Sequence, residues 1–227
     1  VSPLTLVGAP AARRVTIVDA LQRTPAWLQA RCGQLTSSRA VDMLSTPRSG
    51  QDETAGRRNL RVQLALERIT GRPQEGGYVS AAMRDGITRE PQAREAYELL
   101  TGHLVTQTGF VQHPTLRAGA SLDGHVGDLE GIVELKCPLA ATHLEYLKTG
   151  VVPMDYQKQI VHLLWLTGAA WCDWLSFHPE FPEALQTKLV RVARDEAAIA
   201  CYAECVARFL AEVDAEVEAV RLLQVIA

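Results

Sequence analysis

A mixed fold of the α/β or α+β kind, with a central mixed sheet flanked by helices, is predicted by three features of this 227-residue sequence. Apolar residues recur with helical spacing through most of the chain before Leu100. Short stretches rich in Val, Leu and Thr, broken by Gly and Pro, then run from His103 to Cys137. Helical spacing returns afterwards and ends in a long segment from Asp195 to about Leu223. Strands enclosed between helices at both ends of a chain bury their apolar faces most simply as a helix-flanked sheet.

The first helix is expected over Asp19 to Arg31 and the second over Ser38 to Leu44. A third spans about Asp52 to Ile69, where Leu60, Leu64 and Ile69 share one side and arginines occupy the other, the pattern of an amphipathic helix on a core. Thr46 to Gly56, rich in Pro, Gly and small polar residues, reads as a surface loop. A fourth helix is expected from Thr88 to Leu100, with Gly102 as the residue past its end. After the strand region come helices at Ala141 to Leu147 and Asp155 to Thr167, then strands at Trp171 to Phe177 and Lys188 to Val192. Asp195 supplies an N-cap carboxylate for the last helix.

A hydrophobic content of 47% is enough for a substantial core, so one domain over 1–227 is expected, with a core at about 25–180 and a packing helix at about 195–223. The net charge of −3 gives no overall basic footprint for nucleic acid, so any such contact must use local patches. Arginines do cluster, at Arg13 and Arg14, at Arg57, Arg58 and Arg61, and at Arg68 and Arg72. Solvated helix faces account for these equally well. Five cysteines without framework spacing suit a reducing compartment. Cys201 and Cys205, four apart on the last helix, read as two semi-buried thiols. No secretory signal or membrane-spanning run is evident, and a cytoplasmic location is expected.

The chemistry concentrates in ASLDGHVGDLEGIVELKCP, Ala120 to Pro138. Gly127 and Gly131 bracket a turn, so that Asp123 ends one strand and Ile132 to Cys137 form the next. Alternation puts Ile132, Glu134 and Lys136 on one face and Val133, Leu135 and Cys137 on the other, expected to be the core face. Two carboxylates, Asp123 and Glu134, then meet one ammonium, Lys136. Hard divalent cations take such oxygen ligands, and the Leu135 main-chain carbonyl can add another. A bound cation there would activate water and neutralise a scissile phosphate, with Lys136 orienting the nucleophile or stabilising the pentacovalent state. An isolated Glu-x-Lys is usually an ordinary exposed pair; the Asp-Gly before it and the apolar strand around it set this one apart.

Asp123, Glu134 and Lys136 resemble the signature of the PD-(D/E)xK nucleases, whose core is restriction-endonuclease-like. The longer SLDG…VELKCP is similar to the lambda exonuclease or YqaJ-type viral recombinase branch. Leu122 stands where that branch usually has proline. Trp27, Arg31, Gly33, Thr36 and Ser38, followed by Pro47 to Gly50, resemble its N-terminal block. Without the resemblance, Trp27 reads as a core anchor and Arg31 as a surface charge.

The resemblance implies a Mg²⁺-dependent (or Mn²⁺-dependent) 5′-to-3′ exonuclease on double-stranded DNA ends, preferably 5′-phosphorylated. It also implies a homotrimeric ring and a single-strand annealing protein as partner in phage-type recombination. By match, Asp123, Glu134 and the Leu135 carbonyl hold metal, Lys136 is catalytic, and Arg31, Ser38 and Ser121 bind the 5′ phosphate. Glu90, in GITREPQAREAYE, brings a further carboxylate; by itself, ahead of Pro91, it reads as a first-turn helix acid. Met83 falls at a wedge position at the duplex end. Gln159, in DYQKQIVHLLWL with Tyr156 and Trp165, is the active-site amide; Val161 replaces a second glutamine, for which Lys158 or His162 could compensate. The alternatives are a RecB-like repair nuclease, whose iron–sulfur members need four cysteines, and a non-catalytic DNA-end-binding protein.

Overall fold

The computed structural model describes residues 15–47, 52–74 and 81–226, with side chains for all of these except 81–83 and 224–226. The chain runs β1 (Thr16–Val18), α1 (Pro25–Arg31), β2 (Leu35–Thr36), a 3-10 turn (Ser37–Arg39), α2 (Ala40–Met43) and α3 (Ala55–Thr70). It continues with α4 (Ala81–Thr101), β3 (Phe110–Gln112), β4 (Ala118–Ser121), β5 (Gly124–Val126) and β6 (Gly131–Lys136). The remainder is α5 (Ala140–Thr149), α6 (Met154–Thr167), β7 (Trp171–Phe177), a 3-10 turn (Glu183–Leu185), β8 (Thr187–Ala193) and α7 (Glu196–Ile226).

The strands form two four-stranded mixed sheets, ordered β1-β3-β4-β2 and β5-β6-β7-β8. In the first, β2 runs parallel to β4 and the other pairs are antiparallel. In the second, β6 and β7 are parallel, with antiparallel β5 and β8 outside them. The chain passes from β4 to β5 through only Leu122 and Asp123, so Asp123 sits where one sheet hands over to the other. Past it, Gly127 and Leu129 turn the chain back into β6 with φ of 58° and 61°. Gly131 then has to lack a side chain, because a Cβ there would lie 2.1 Å from the Trp171 ring on β7.

The expected alternation of open and core faces on β6 does not hold: every residue from Gly131 to Leu135 is buried. Ile132 belongs to the main core, with Ile160, Leu163 and Leu164 of α6 and Phe209 and Val213 of α7. Val133 and Leu135 pack in a second cluster with Ala93 and Tyr97 of α4 and Leu175 and Phe177 of β7. A strand with neighbours on both edges and helices on both faces has no open side, which is the normal state of a parallel pair. Glu134 is thereby carried into the interior, at 2% exposure.

Two helix starts differ from expectation by six or seven residues, and those of α2 and α3 by two or three. The first helix begins at Pro25 instead of Asp19, because Thr24 caps it by accepting from the Trp27 amide and Pro25 fits its first position. The fourth begins at Ala81 and runs through Pro91. Glu90 is therefore an interior helix residue, and the first-turn acid reading fails. Gly102, at φ 72°, does close α4 as expected, its amide donating to the Glu98 carbonyl at 2.8 Å. Asp195 caps α7, accepting from the amides of Ala197 and Ala198.

The arginine stripe of α3 is neither a solvated face nor a free basic patch. Arg57 and Arg61 both pair with Glu53 and reach Glu212 and Glu216 of α7, while Arg68 pairs with Asp214. Of that group Arg58 and Arg72 remain exposed, and Arg13 and Arg14 lie outside the described residues. Cys205 is half-buried but Cys201 is exposed, so the pair is not two semi-buried thiols. No described helix is long and apolar enough to cross a membrane.

Candidate active site

Asp123 faces the open end of β6. Leu135 donates its main-chain amide to Asp123 Oδ2 at 2.8 Å, on the edge where β5 has ended. Because N–H and C=O of one strand residue point to the same edge, the Leu135 carbonyl is aimed toward Asp123 as well. Glu134, on the adjoining face, is held from two directions. Lys136 Nζ contacts its Oε1, and Gln159 Nε2 of α6 donates to the same oxygen at 2.7 Å. The Lys136 ammonium also stands 4.9 Å from the centre of the Tyr156 ring, a cation–π arrangement.

The electrostatics follow from two carboxylates crowded into one buried place. Burial pushes the Asp123 carboxyl up, the Glu134 and Glu90 carboxylates add to this, and Lys136 offsets part of it, leaving the group at about 8. Burial alone would lower Lys136, but Glu134 and Asp123 outweigh it and hold the ammonium above the usual lysine range. The adjacent Cys137 thiol is pushed up to about 11, first by burial and then by Glu90 and Asp123. It is therefore a poor nucleophile at neutral pH.

Excess negative charge, hard oxygen donors and a main-chain carbonyl suit a small divalent cation. Among the described residues no three His, Cys, Asp or Glu side chains converge as a metal site. The two carboxylates brought together beside this strand end are those of Asp123 and Glu134, with the Leu135 carbonyl on the Asp123 edge. Glu90 is close enough for its charge to act on Asp123, but its own carboxylate bonds Arg23 at 3.0 Å and lies 3.9 Å from Arg94.

The predicted phosphate residues meet only in part. Ser121 Oγ accepts from Trp27 Nε1 at 2.7 Å and from Arg31 at 3.2 Å, and the Arg31 guanidinium stacks 4.3 Å from the Trp27 ring centre. Trp27 is accordingly half-buried and not a core anchor, and Arg31 is half-buried and not a plain surface charge. Ser38 is exposed in the turn after β2, 3.4 Å from the Thr36 hydroxyl. The β2–β4 pairing links its turn to the strand that ends in Ser121.

His162 does not compensate for the missing glutamine. It is fully buried, with Nε2 donating to the Gly119 carbonyl at 3.1 Å and Nδ1 accepting from the Tyr202 hydroxyl at 2.7 Å. Burial pushes it down to about 4. Lys158 lies 3.6 Å from Asp155. Leu122, at the proline position, is buried in the main core. The Met83 side chain and Arg48 to Gly50 lie outside the described residues. Sequence reading passed over Gln22 and Arg23, which reach Leu122 and Glu90 across 100 and 67 residues; no local pattern marks such contacts.

A carboxylate pair, a strand lysine and a helix amide at the end of a helix-flanked parallel pair define a PD-(D/E)xK core, and so an enzyme of the nuclease class. The model of the YqaJ-like viral recombinase domain matches residues 26–170, and the chain belongs to that family. The chain is similar to an alkaline exonuclease, LHK-Exo, from Laribacter hongkongensis. The two are 38% identical with a TM-score of 0.80, over 90% of this chain and 100% of that one. The same figures hold for LHK-Exo in complex with dAMP. A phage related exonuclease from Haemophilus somnus 129PT, 16% identical with a TM-score of 0.63 over 82% of this chain and 96% of that one, shares the fold. No curated protein matches the chain.

Proposed function

We propose that this chain is a Mg²⁺-dependent exonuclease that digests one strand of a DNA duplex 5′ to 3′ and leaves a 3′ overhang for recombination by strand annealing. One observation carries this reading: Ser121, which accepts from Arg31 and Trp27, and Asp123, bonded to the Leu135 amide, are two residues apart on one rigid link between sheets. An anchor for a terminal phosphate and a site for cutting a phosphodiester then sit at a fixed separation.

In this reading Asp123, Glu134 and the Leu135 carbonyl hold Mg²⁺, or Mn²⁺ in its place, and Glu90 adds a further negative charge near Asp123. The ion would supply charge neutralisation and an activated water. Lys136 orients that water or stabilises the pentacovalent phosphorus, and its ring partner Tyr156 restricts where the ammonium can go. Gln159 fixes the Glu134 carboxylate. Arg31 offers bidentate donors to a 5′ phosphate. Ser121 has both acceptor positions filled by Trp27 and Arg31, leaving its own O–H to donate to the anion. Ser38 adds a second hydroxyl from an exposed turn.

The working form is a homotrimeric ring around DNA, acting in the bacterial cytoplasm with a single-strand annealing protein. A ring reconciles the net charge of −3 with DNA binding, since a basic channel can coexist with acidic outer surfaces. The test compares Mg²⁺-dependent degradation of linear duplexes bearing 5′ phosphate or 5′ hydroxyl with closed circular DNA. Fast loss of the phosphorylated duplex, slower loss of the hydroxyl form and intact circles are expected. Circles cut as readily as linear DNA would remove Arg31, Ser38 and Ser121 from end recognition.

A further inference from the structure

The strap between β1 and α1 grips the candidate active site at two points. Gln22 Nε2 donates to the Leu122 carbonyl at 2.9 Å, on the residue between Ser121 and Asp123. Next to it, Arg23 pairs with Glu90 of α4 at 3.0 Å. Arg23 adopts a left-handed backbone with φ 68°, a conformation that non-glycine residues take up only where their surroundings hold it. Here the hold comes from Thr24, whose amide and hydroxyl both donate to the Leu21 carbonyl and whose Oγ also caps α1. The strap is thus locked to the helix that carries Trp27 and Arg31. A cavity of about 450 Å³, lined among others by Asp19, Gln22, Arg23, Glu90 and Gln107, opens beside the pair.

We propose that Arg23 is a positioning residue that sets the Glu90 carboxylate and mechanically couples it to the phosphate-anchoring helix α1. The pair by itself adds little to stability, because the Arg23 side chain is 49% exposed and exposed pairs are screened. Its value lies in geometry. Glu90 stands inside a helix, where the backbone amides are taken by the carbonyls four residues back, so its carboxylate depends on side-chain partners for orientation. Among the described residues Arg23 stands at 3.0 Å from it and Arg94 at 3.9 Å. A terminal phosphate that draws on Arg31 therefore pulls on the same rigid turn that aims Glu90.

This inference rests on the exonuclease reading, which the unsubstituted protein tests first by degrading 5′-phosphorylated linear duplex. Arg23→Gln and Arg23→Lys are then compared on that duplex, with Mn²⁺ binding to the DNA-free protein followed by calorimetry and Tm recorded. Arg23→Gln should lower kcat about tenfold with KM for ends little changed, and should shift Mn²⁺ affinity. Arg23→Lys should restore most of both, and Tm should stay near the original in each. The proposal is overturned if Arg23→Gln keeps kcat and Mn²⁺ affinity, if its loss appears in KM alone, or if activity falls only in step with Tm. Inactivity of the unsubstituted protein would instead count against the exonuclease reading.

Discussion

Gln159 on α6 and Lys136 on β6 both reach Oε1 of Glu134, the former at 2.7 Å, and neither bond engages Oε2. One carboxylate oxygen is thereby tied down inside the protein while the other stays outside both bonds, an arrangement that fixes the angle at which a cation can be met. Replacing Gln159 by Leu should lower kcat about tenfold with Tm little changed, since orientation is lost but packing is kept. Gln159→Glu should do worse by setting a like charge against Glu134. Steady-state digestion of end-labelled duplex reads both.

Lys136 should behave differently from its neighbours. It touches Glu134 and Tyr156 and is held protonated, so Lys136→Ala should leave DNA binding intact and abolish hydrolysis. Gel-shift and degradation assays on one preparation separate the two. Unaltered turnover would take Lys136 out of the mechanism.

Stability without metal should fall as pH rises. Asp123 moves from an ordinary 3.8 to about 8 in the folded chain. Between those values the folded state keeps a proton that the unfolded state has already lost, so the unfolded state gains as pH increases, and the loss levels off above about 8. A divalent cation needs the deprotonated carboxylate, so Mg²⁺ should raise Tm more at about pH 9 than at about pH 6. Thermal melts in chelator and in Mg²⁺ check this; an equal rise at both values would contradict it.

Arg57 and Arg61 should matter to folding and not to DNA. Each bridges Glu53 to α7, and Arg57 also lies 5.1 Å from the Phe209 ring centre. Alanine at either should cost about 1 kcal/mol or less, given their partial exposure, and leave duplex affinity unchanged. Denaturant titration beside a binding isotherm would show whether that division holds.

His162→Ala should destabilise by about 2–3 kcal/mol, because the Gly119 carbonyl and Tyr202 hydroxyl lose their partner in a dry interior. KM for DNA ends should not move, since both ring nitrogens are engaged by Gly119 and Tyr202 in the core. A KM effect without a stability effect would return His162 to the site.

Much of the site was legible in the chain because metal-type chemistry needs particular residues at particular strand spacings. Asp123, Glu134 and Lys136 obey such a rule, and the apolar run around them marked the strand. Arg31 and Ser121 could be named only by resemblance, since Trp27, which holds them together, looks like any core tryptophan when read alone. The α3 arginines were ambiguous for the opposite reason: their partners, Glu212 and Glu216, lie 155 residues away.

The sequence by itself determined the order of the helices and of the strands after Leu100, the caps at Gly102 and Asp195, and the identity of the two carboxylates and the lysine, because each of these rests on contacts or periodicities only a few residues long; the short β1 and β2 strands were not read from it. Only the tertiary structure decided that β6 is buried on both faces, that Glu90 lies within a helix and is held by Arg23, and that His162 belongs to the core. Those outcomes depend on which distant segments pack together, and burial and long-range pairing carry no signature in local spacing.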